Sequence, residues 1–126
     1  EAKEQESALF HFERAFKLDE NLGPVGNNLA WILTTKAEPE PERALNLIES
    51  VLKRWPDNPA YRETRGQIFA QLERWDDALD DLEYALPRLK SNAETHQALA
   101  TTYAGLGQDK LAEKHRTLAK LVREGN

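Results

Sequence analysis

The stretch WDDALDDLEYAL, Trp75–Leu86, decides the architecture, because its pattern recurs along the chain. Its alanine, Ala78, lies 34 residues after Ala44 in PERALNLIESVL (Pro41–Leu52) and 34 before Ala112 in DKLAEKHRTLAK (Asp109–Lys120). Ala8 precedes Ala44 by 36, the same interval with two residues inserted. Leu79, Leu82 and Leu86 follow Ala78 at helical steps, as Leu45, Ile48 and Leu52 follow Ala44. In the first segment Leu9, Phe12 and Phe16 make the same stripe. Steps of three and four place each set on one helix face. A second small residue, Ala15, Val51, Ala85 or Ala119, comes seven after the first and lets a neighbouring helix approach closely. A fixed period along a whole chain indicates stacked supersecondary units, each burying its apolar face on the next.

A second helical set lies between these segments: Leu29, Ala30 and Leu33, then Gly66 and Phe69, then Leu99, Ala100 and Tyr103. Breakers bound them. Gly23-Pro24 opens the first, Asn58-Pro59 opens the next with Asn58 as N-cap, and Ser91 to Glu94 has the form of a capping box. Gly105 and Gly107 close the last, where a left-handed residue is often needed. The pattern predicts seven helices, near 2–18, 24–36, 40–54, 59–72, 75–88, 93–105 and 109–123. Short connections make successive helices antiparallel. No segment alternates with the period of a strand.

The chain has 126 residues and a formal net charge of −5. Lysines and arginines are interleaved with carboxylates, as around Lys110–Arg116, which is a solvated helix face and not the clustered basic footprint of a nucleic-acid binder. No apolar run approaches the roughly 18 residues of a membrane-spanning helix, so no membrane insertion is expected. The absence of cysteine excludes disulfides and thiolate metal sites, and leaves the compartment, cytoplasm or periplasm, open.

These residues resemble the tetratricopeptide repeat, whose period is about 34 residues. Leu29-Ala30-x2-Leu33 is followed by Ala44-x3-Ile48 and Pro56, Gly66-x2-Phe69 by Ala78-x3-Leu82, and Leu99-Ala100-x2-Tyr103 by Ala112. The run from Asn27 to Leu45, with Pro39 and Pro41, looks like a bacterial variety with an expanded turn between its helices. The resemblance implies an all-α, right-handed superhelical solenoid of antiparallel helix pairs. It divides the chain into a half repeat at 1–22, repeats at 23–58 and 59–92, and a capping repeat at 93–126. Gly26, Arg62 and His96 occupy the family's tryptophan slot, and Arg65 stands at an apolar one. The last helix carries Glu113, Arg116 and Lys120 on the face that stacks in earlier repeats, the polar exterior expected where an array ends, at or near Asn126. The first helix opens without its partner, with Phe10 off its stripe, and implies further repeats before residue 1.

The resemblance places a partner-binding groove on the first helix of each repeat. The corresponding stripes are Asn27, Trp31 and Thr34, then Glu63, Gln67 and Ala70, then Gln97, Thr101 and Ala104. Asn27, Gln67, Gln97 and Thr101 suit hydrogen bonding to an extended peptide backbone. Trp31 serves either as an apolar anchor or as packing between adjacent helices. Glu63 and Glu94 tilt the groove toward basic or neutral ligands. The lysines of a chaperone-type carboxylate clamp are missing from these stripes. The expected function is a protein-interaction scaffold whose partner is a protein or peptide. The alternatives are self-association through Phe10, Phe12 and Phe16, or an accessory domain of a larger enzyme.

No catalytic role, metal or cofactor is expected. His11, His96 and His115 are read as lying in different repeats without metal-ligand spacing, His96 as packing and the other two as surface residues. Gly105-Leu106-Gly107 lacks the Lys-Ser/Thr of a phosphate loop. Glu38, Glu40 and Glu42 are read as solvated charges of a proline-rich turn.

Overall fold

The computed structural model describes residues 2–125, with side chains from Lys3 onward. Asn126, near which the sequence places the end of the array, lies outside the described residues. Seven α-helices follow one another: α1 (Ala2–Leu18), α2 (Gly23–Thr35), α3 (Pro41–Arg54), α4 (Pro59–Gln71), α5 (Trp75–Ala85), α6 (Ala93–Gly105) and α7 (Asp109–Glu124). Among the described residues there is no strand. Pro24, Pro41 and Pro59 sit in first turns, where a missing N–H costs nothing. Asn58 caps α4 as expected, its Oδ1 accepting from Ala60 N at 2.9 Å and Tyr61 N at 3.2 Å.

One helix end and one cap depart from the sequence reading, the other ends agreeing to within a residue. The segment 75–88 is α-helical only to Ala85, and Leu86–Arg88 tighten into a 3-10 turn. Pro87 is the cause: it lacks the N–H that would continue the ladder and its ring crowds the preceding turn. The capping box at Ser91 does not form. Helix α6 begins at Ala93, so Asn92 takes the cap position, and it makes no side-chain cap bond.

The repeat period is visible in the turns. After α4, Leu72 N, Glu73 N and Arg74 N donate to Ile68 O, Ala70 O and Phe69 O. After α6, Leu106 N, Gly107 N and Gln108 N donate to Thr102 O, Ala104 O and Tyr103 O, each atom 34 positions further on. Both are Schellman closures, which need a left-handed residue at their centre. Gly107 supplies it at φ +77, and Glu73 adopts φ +59 in the equivalent place. The α2–α3 connection spans 36–40, two residues more than the turns 72–74 and 106–108. That is where the inserted pair lies. Lys36 ties this longer turn together, bonding Glu40 at 2.6 Å and reaching Glu6 of α1 at 3.6 Å. Glu40 also meets Arg43, which pairs with Glu13. Glu40 is thus bound, where the sequence suggested a solvated charge.

Helix α2 packs on α3, α4 on α5 and α6 on α7, and each pair stacks on the next. The first helices also touch one another, α2 with α4 and α4 with α6, whereas among the described residues α3, α5 and α7 approach one another less closely. An inner row in contact and an outer row spread apart give the stack its curvature, with α2, α4 and α6 on the concave side. The repeating alanines Ala44, Ala78 and Ala112 are fully buried between rows, with Leu29, Leu33, Ile48, Ile68, Leu82 and Leu99 around them. Each large side chain so buried contributes about 1.5–3 kcal/mol before entropy is subtracted.

Candidate binding groove

The three stripes converge. Three adjoining hollows of about 270, 230 and 200 Å³ run along the inner row, and Trp31 and Gln67 line all of them. The largest of the three extends to Ala70, Gln97 and Thr101, the next to Asn27 and Glu63, and the third to Thr34. All seven residues singled out from sequence therefore border one trough. Trp31 is 44% exposed, so its indole is not consumed by packing between helices. A half-exposed indole in a concavity is ready to bury area on an incoming chain.

The polar groups are not equally free. Thr34 Oγ1 donates to Trp31 O at 2.8 Å, and Thr101 Oγ1 to Gln97 O at 3.3 Å, so both hydroxyls spend their proton on their own helix and remain acceptors only. Among the described residues the side-chain amides of Gln67 and Gln97 make no intrachain hydrogen bond. Gln71 Nε2 reaches Thr34 O at 3.2 Å and links α4 to α2 along the floor. Asn27 Oδ1 is shielded from water and has no hydrogen-bond partner among the described residues. Glu63 accepts from Thr95 Oγ1 of α6. Burial pushes the Glu63 carboxyl above the usual range, the Thr95 bond opposes this, and the charge of Glu94 adds to the rise.

A wider concavity, about 800 Å³, lies elsewhere, against α3 and the start of α4, and includes Lys53, Glu49, Arg62 and Arg65. Its arginines are committed inward. Arg62 Nε and Arg65 Nε each donate to Asp81 at 2.7 Å, and Arg65 Nη2 adds a bond at 2.9 Å. Asp81 is 1% exposed. This cavity is mixed in charge and offers no exposed aromatic, so the trough is the better recognition surface.

The histidines correct the sequence reading. His96 and His115 belong to the same helix pair, α6 and α7, and both are buried. Their Nδ1 atoms lie 2.9 Å apart, so one ring donates while the other accepts. Tyr103 stacks on His115 and donates its hydroxyl to Glu83 at 2.8 Å, and burial with that bond pushes its pKa up to about 12. His115 faces inward because it lies three residues after Ala112 and four before Ala119, on the stacking face. Among the described residues no group of three or more His, Asp or Glu is placed to hold a metal ion.

Burial lowers the pKa of His96, with Glu83 opposing; burial, His96 and Lys114 lower that of His115, again against Glu83. Below the ordinary value near 6.5 the unfolded chain therefore binds more protons than the folded one. The contribution of the pair is complete above that value and is lost as pH falls through the lowered folded values. The melting temperature is expected to drop between about pH 7.5 and 5 and to drop less in His115→Phe. Thermal melts check this, and equal slopes for the two proteins contradict it.

The phenylalanines of α1 divide. Phe10 is 56% exposed as expected, but Phe16 is buried and Phe12 packs against the core. Phe16 lies against Gly26, where any side chain would collide with its ring. Of these side chains α1 presents Phe10 to solvent and withholds Phe16, so the expected patch of Phe10, Phe12 and Phe16 is not formed as one surface.

No family model matches the chain. The TPR repeat-containing thioredoxin TTL4 of Arabidopsis thaliana is 35% identical over 72 residues, 57% of this chain. That match spans only 11% of the length of the thioredoxin. The solved structure of MamA AMB-1 superposes with a TM-score of 0.73 at 24% identity, covering 94% of this chain and 69% of its own. MamA MSR-1 gives a TM-score of 0.72 at 22% identity, covering 95% and 68%. At such identities the superpositions speak for the fold, and the repeat named in the sequence match is the one that the 34-residue period describes. No helix among the described residues is long and apolar enough to cross a membrane.

Proposed function

We propose that this tetratricopeptide-repeat solenoid is a recognition module that takes an extended segment of a protein partner into the trough on α2, α4 and α6, without catalysis. One observation carries the reading: the first-helix stripes border a single concavity in which a half-exposed indole lies beside two amides that make no hydrogen bond among the described residues. Such a surface recognises by shape and backbone hydrogen bonding, and its prior folding lowers the ordering cost of association. The likeness to a repeat-containing relative supports the scaffold role and leaves the partner to experiment.

Affinity capture from source lysate with the wild type and with Trp31→Ala/Gln67→Ala tests the proposal. Capture is expected to weaken roughly tenfold to a hundredfold, the range of interface anchors, with helicity unchanged by circular dichroism. Undiminished capture would place binding outside the trough. A second reading, association of copies through α1, is favoured by the exposed Phe10 and Leu18. Its mark is a light-scattering mass that rises with concentration and stops doing so in Phe10→Glu.

A further inference from the structure

We infer that the segment received by the trough presents a lysine or arginine side chain to the hollow bordered by Asn27, Trp31, Glu63 and Glu94. The inference rests on the groove reading above and adds the chemistry of one ligand side chain. The hollow measures about 230 Å³, and the charged residues that line it are both carboxylates, one from α4 and one from α6. No lysine or arginine lines it. Among the described residues Glu63 is answered by the Thr95 hydroxyl and by no cation. Glu94 has the guanidinium of Arg123 at 3.8 Å, from the last turn of α7, in a pair whose arginine is half exposed and whose carboxylate is about two-thirds exposed. That contact is long and solvated, and an incoming cation displaces it at little cost.

Three features select a cation on an apolar stem. The open indole of Trp31 accepts a methylene chain along its surface and a positive head over its face. Two neighbouring carboxylates, one of them largely withdrawn from water, repel each other until a positive charge is added. Asn27 Oδ1 is an acceptor that no donor among the described residues satisfies, and an amide turned toward the hollow would offer it to an ammonium or guanidinium. An acidic side chain in the same place adds a third negative charge. An apolar one strips water from two carboxylates and returns nothing, so both are selected against.

Panning a phage library of random linear dodecapeptides on the wild-type protein tests this. The retained peptides are then measured against Trp31→Ala, Glu63→Gln/Glu94→Gln and, as control, Glu38→Gln/Asp80→Asn, which removes the same charge outside the trough. The expected peptides carry lysine or arginine. They are expected to bind about tenfold more weakly to the Glu63/Glu94 variant, as for loss of a charged hydrogen bond, and equally to the control. If the double variant fails to fold, Glu94→Gln alone, on an exposed side chain, is expected to weaken binding severalfold. Peptides that need Trp31 but lack a basic residue, or ignore loss of the carboxylates, overturn the inference and leave the groove reading standing. Retention of no peptide, or binding indifferent to Trp31→Ala, overturns both.

Discussion

Asp81→Ala is expected to destabilise the solenoid by about 3–5 kcal/mol, the cost of removing one partner from a buried ion pair. The carboxylate is 1% exposed and receives three charge-assisted bonds at 2.7–2.9 Å from Arg62 and Arg65. Both guanidinium groups come from α4 and the carboxylate from α5, so the cluster fastens the central helix pair. Arg62 also lies 4.1 Å over the ring of Tyr84, whose hydroxyl donates to Asp57 O at 3.0 Å, so its position is fixed from a second side. Without Asp81 the arginines are held against α5 without a bonded carboxylate, Arg65 keeping only the weaker field of Glu49 and Asp77. Urea denaturation measures the loss. A domain whose whole stability is about 5–15 kcal/mol would be left marginal. Replacing Asp81, Arg62 and Arg65 together with apolar residues of similar volume is expected to cost less than Asp81→Ala alone, because the desolvation penalty then disappears with the pair. A cost for Asp81→Ala below about 1 kcal/mol would mean that the arginines recover their solvation from water and that the cluster fastens nothing.

The same site explains what the sequence revealed and what it concealed. Arg62 and Asp81 are 19 residues apart, as are His96 and His115, and the second pair follows the first by 34. One position in the repeat unit thus carries a polar pair twice, with different chemistry each time. The tryptophan slot was identified at Gly26, Arg62 and His96, and its polar occupants were visible. The partner positions were missed because Asp81 stands among acidic residues and His115 among basic ones, and both resemble solvated faces. Helix phase held the missing signal. Asp81 falls three after Ala78 and four before Ala85, as His115 does between Ala112 and Ala119, and those alanines define the buried side. In both repeats of this chain a polar residue in that phase, 19 after another in the tryptophan slot, bonds to it.

The trough was legible for the opposite reason. Its residues lie on the face of each first helix that the apolar stripe leaves open, so period and phase suffice to group Asn27, Trp31 and Thr34 with Glu63, Gln67, Gln97 and Thr101. Whether Trp31 was packed or open was not legible. That depends on how far the inner helices approach one another, and Gly26 and Gly66 face the opposite neighbours: Phe16 and Val51 for the first, Leu82 for the second. The unequal division of the α1 phenylalanines has the same origin. Phe16 occupies the space left by the absent side chain of Gly26, a three-dimensional fit that a stripe of apolar letters does not encode.

Leu82→Ala is expected to cost about 3 kcal/mol, and Gly66→Ala to restore part of that loss instead of adding to it. Leu82 is fully buried, and truncation of such a leucine costs about 2–5 kcal/mol, more where the walls cannot collapse. Here they cannot move far, because Asp81 beside it is fixed by two arginines. A Cβ on Gly66 would lie 2.8 Å from Leu82 Cγ and 2.9 Å from its Cδ2. Alone, Gly66→Ala therefore overpacks the α4–α5 contact, a strain of about 1–3 kcal/mol, against about 1 kcal/mol gained from alanine in a helix. With Leu82 shortened, the new methyl enters the space vacated and the helical gain remains. The double variant is expected to be more stable than the sum of the single losses by at least about 1 kcal/mol, a coupling that a denaturation cycle resolves. Additive losses would show that the two groups do not share the contact. The cycle also bears on recognition, since Gln67 follows Gly66 directly and the depth at which α4 lies on α5 sets how far Glu63 and Gln67 reach into the trough. Gly66→Ala in the Leu82→Ala background is thus expected to bind partner segments with an affinity different from that of either single variant, and Gly66→Ala with native Leu82 to weaken binding while the helices persist.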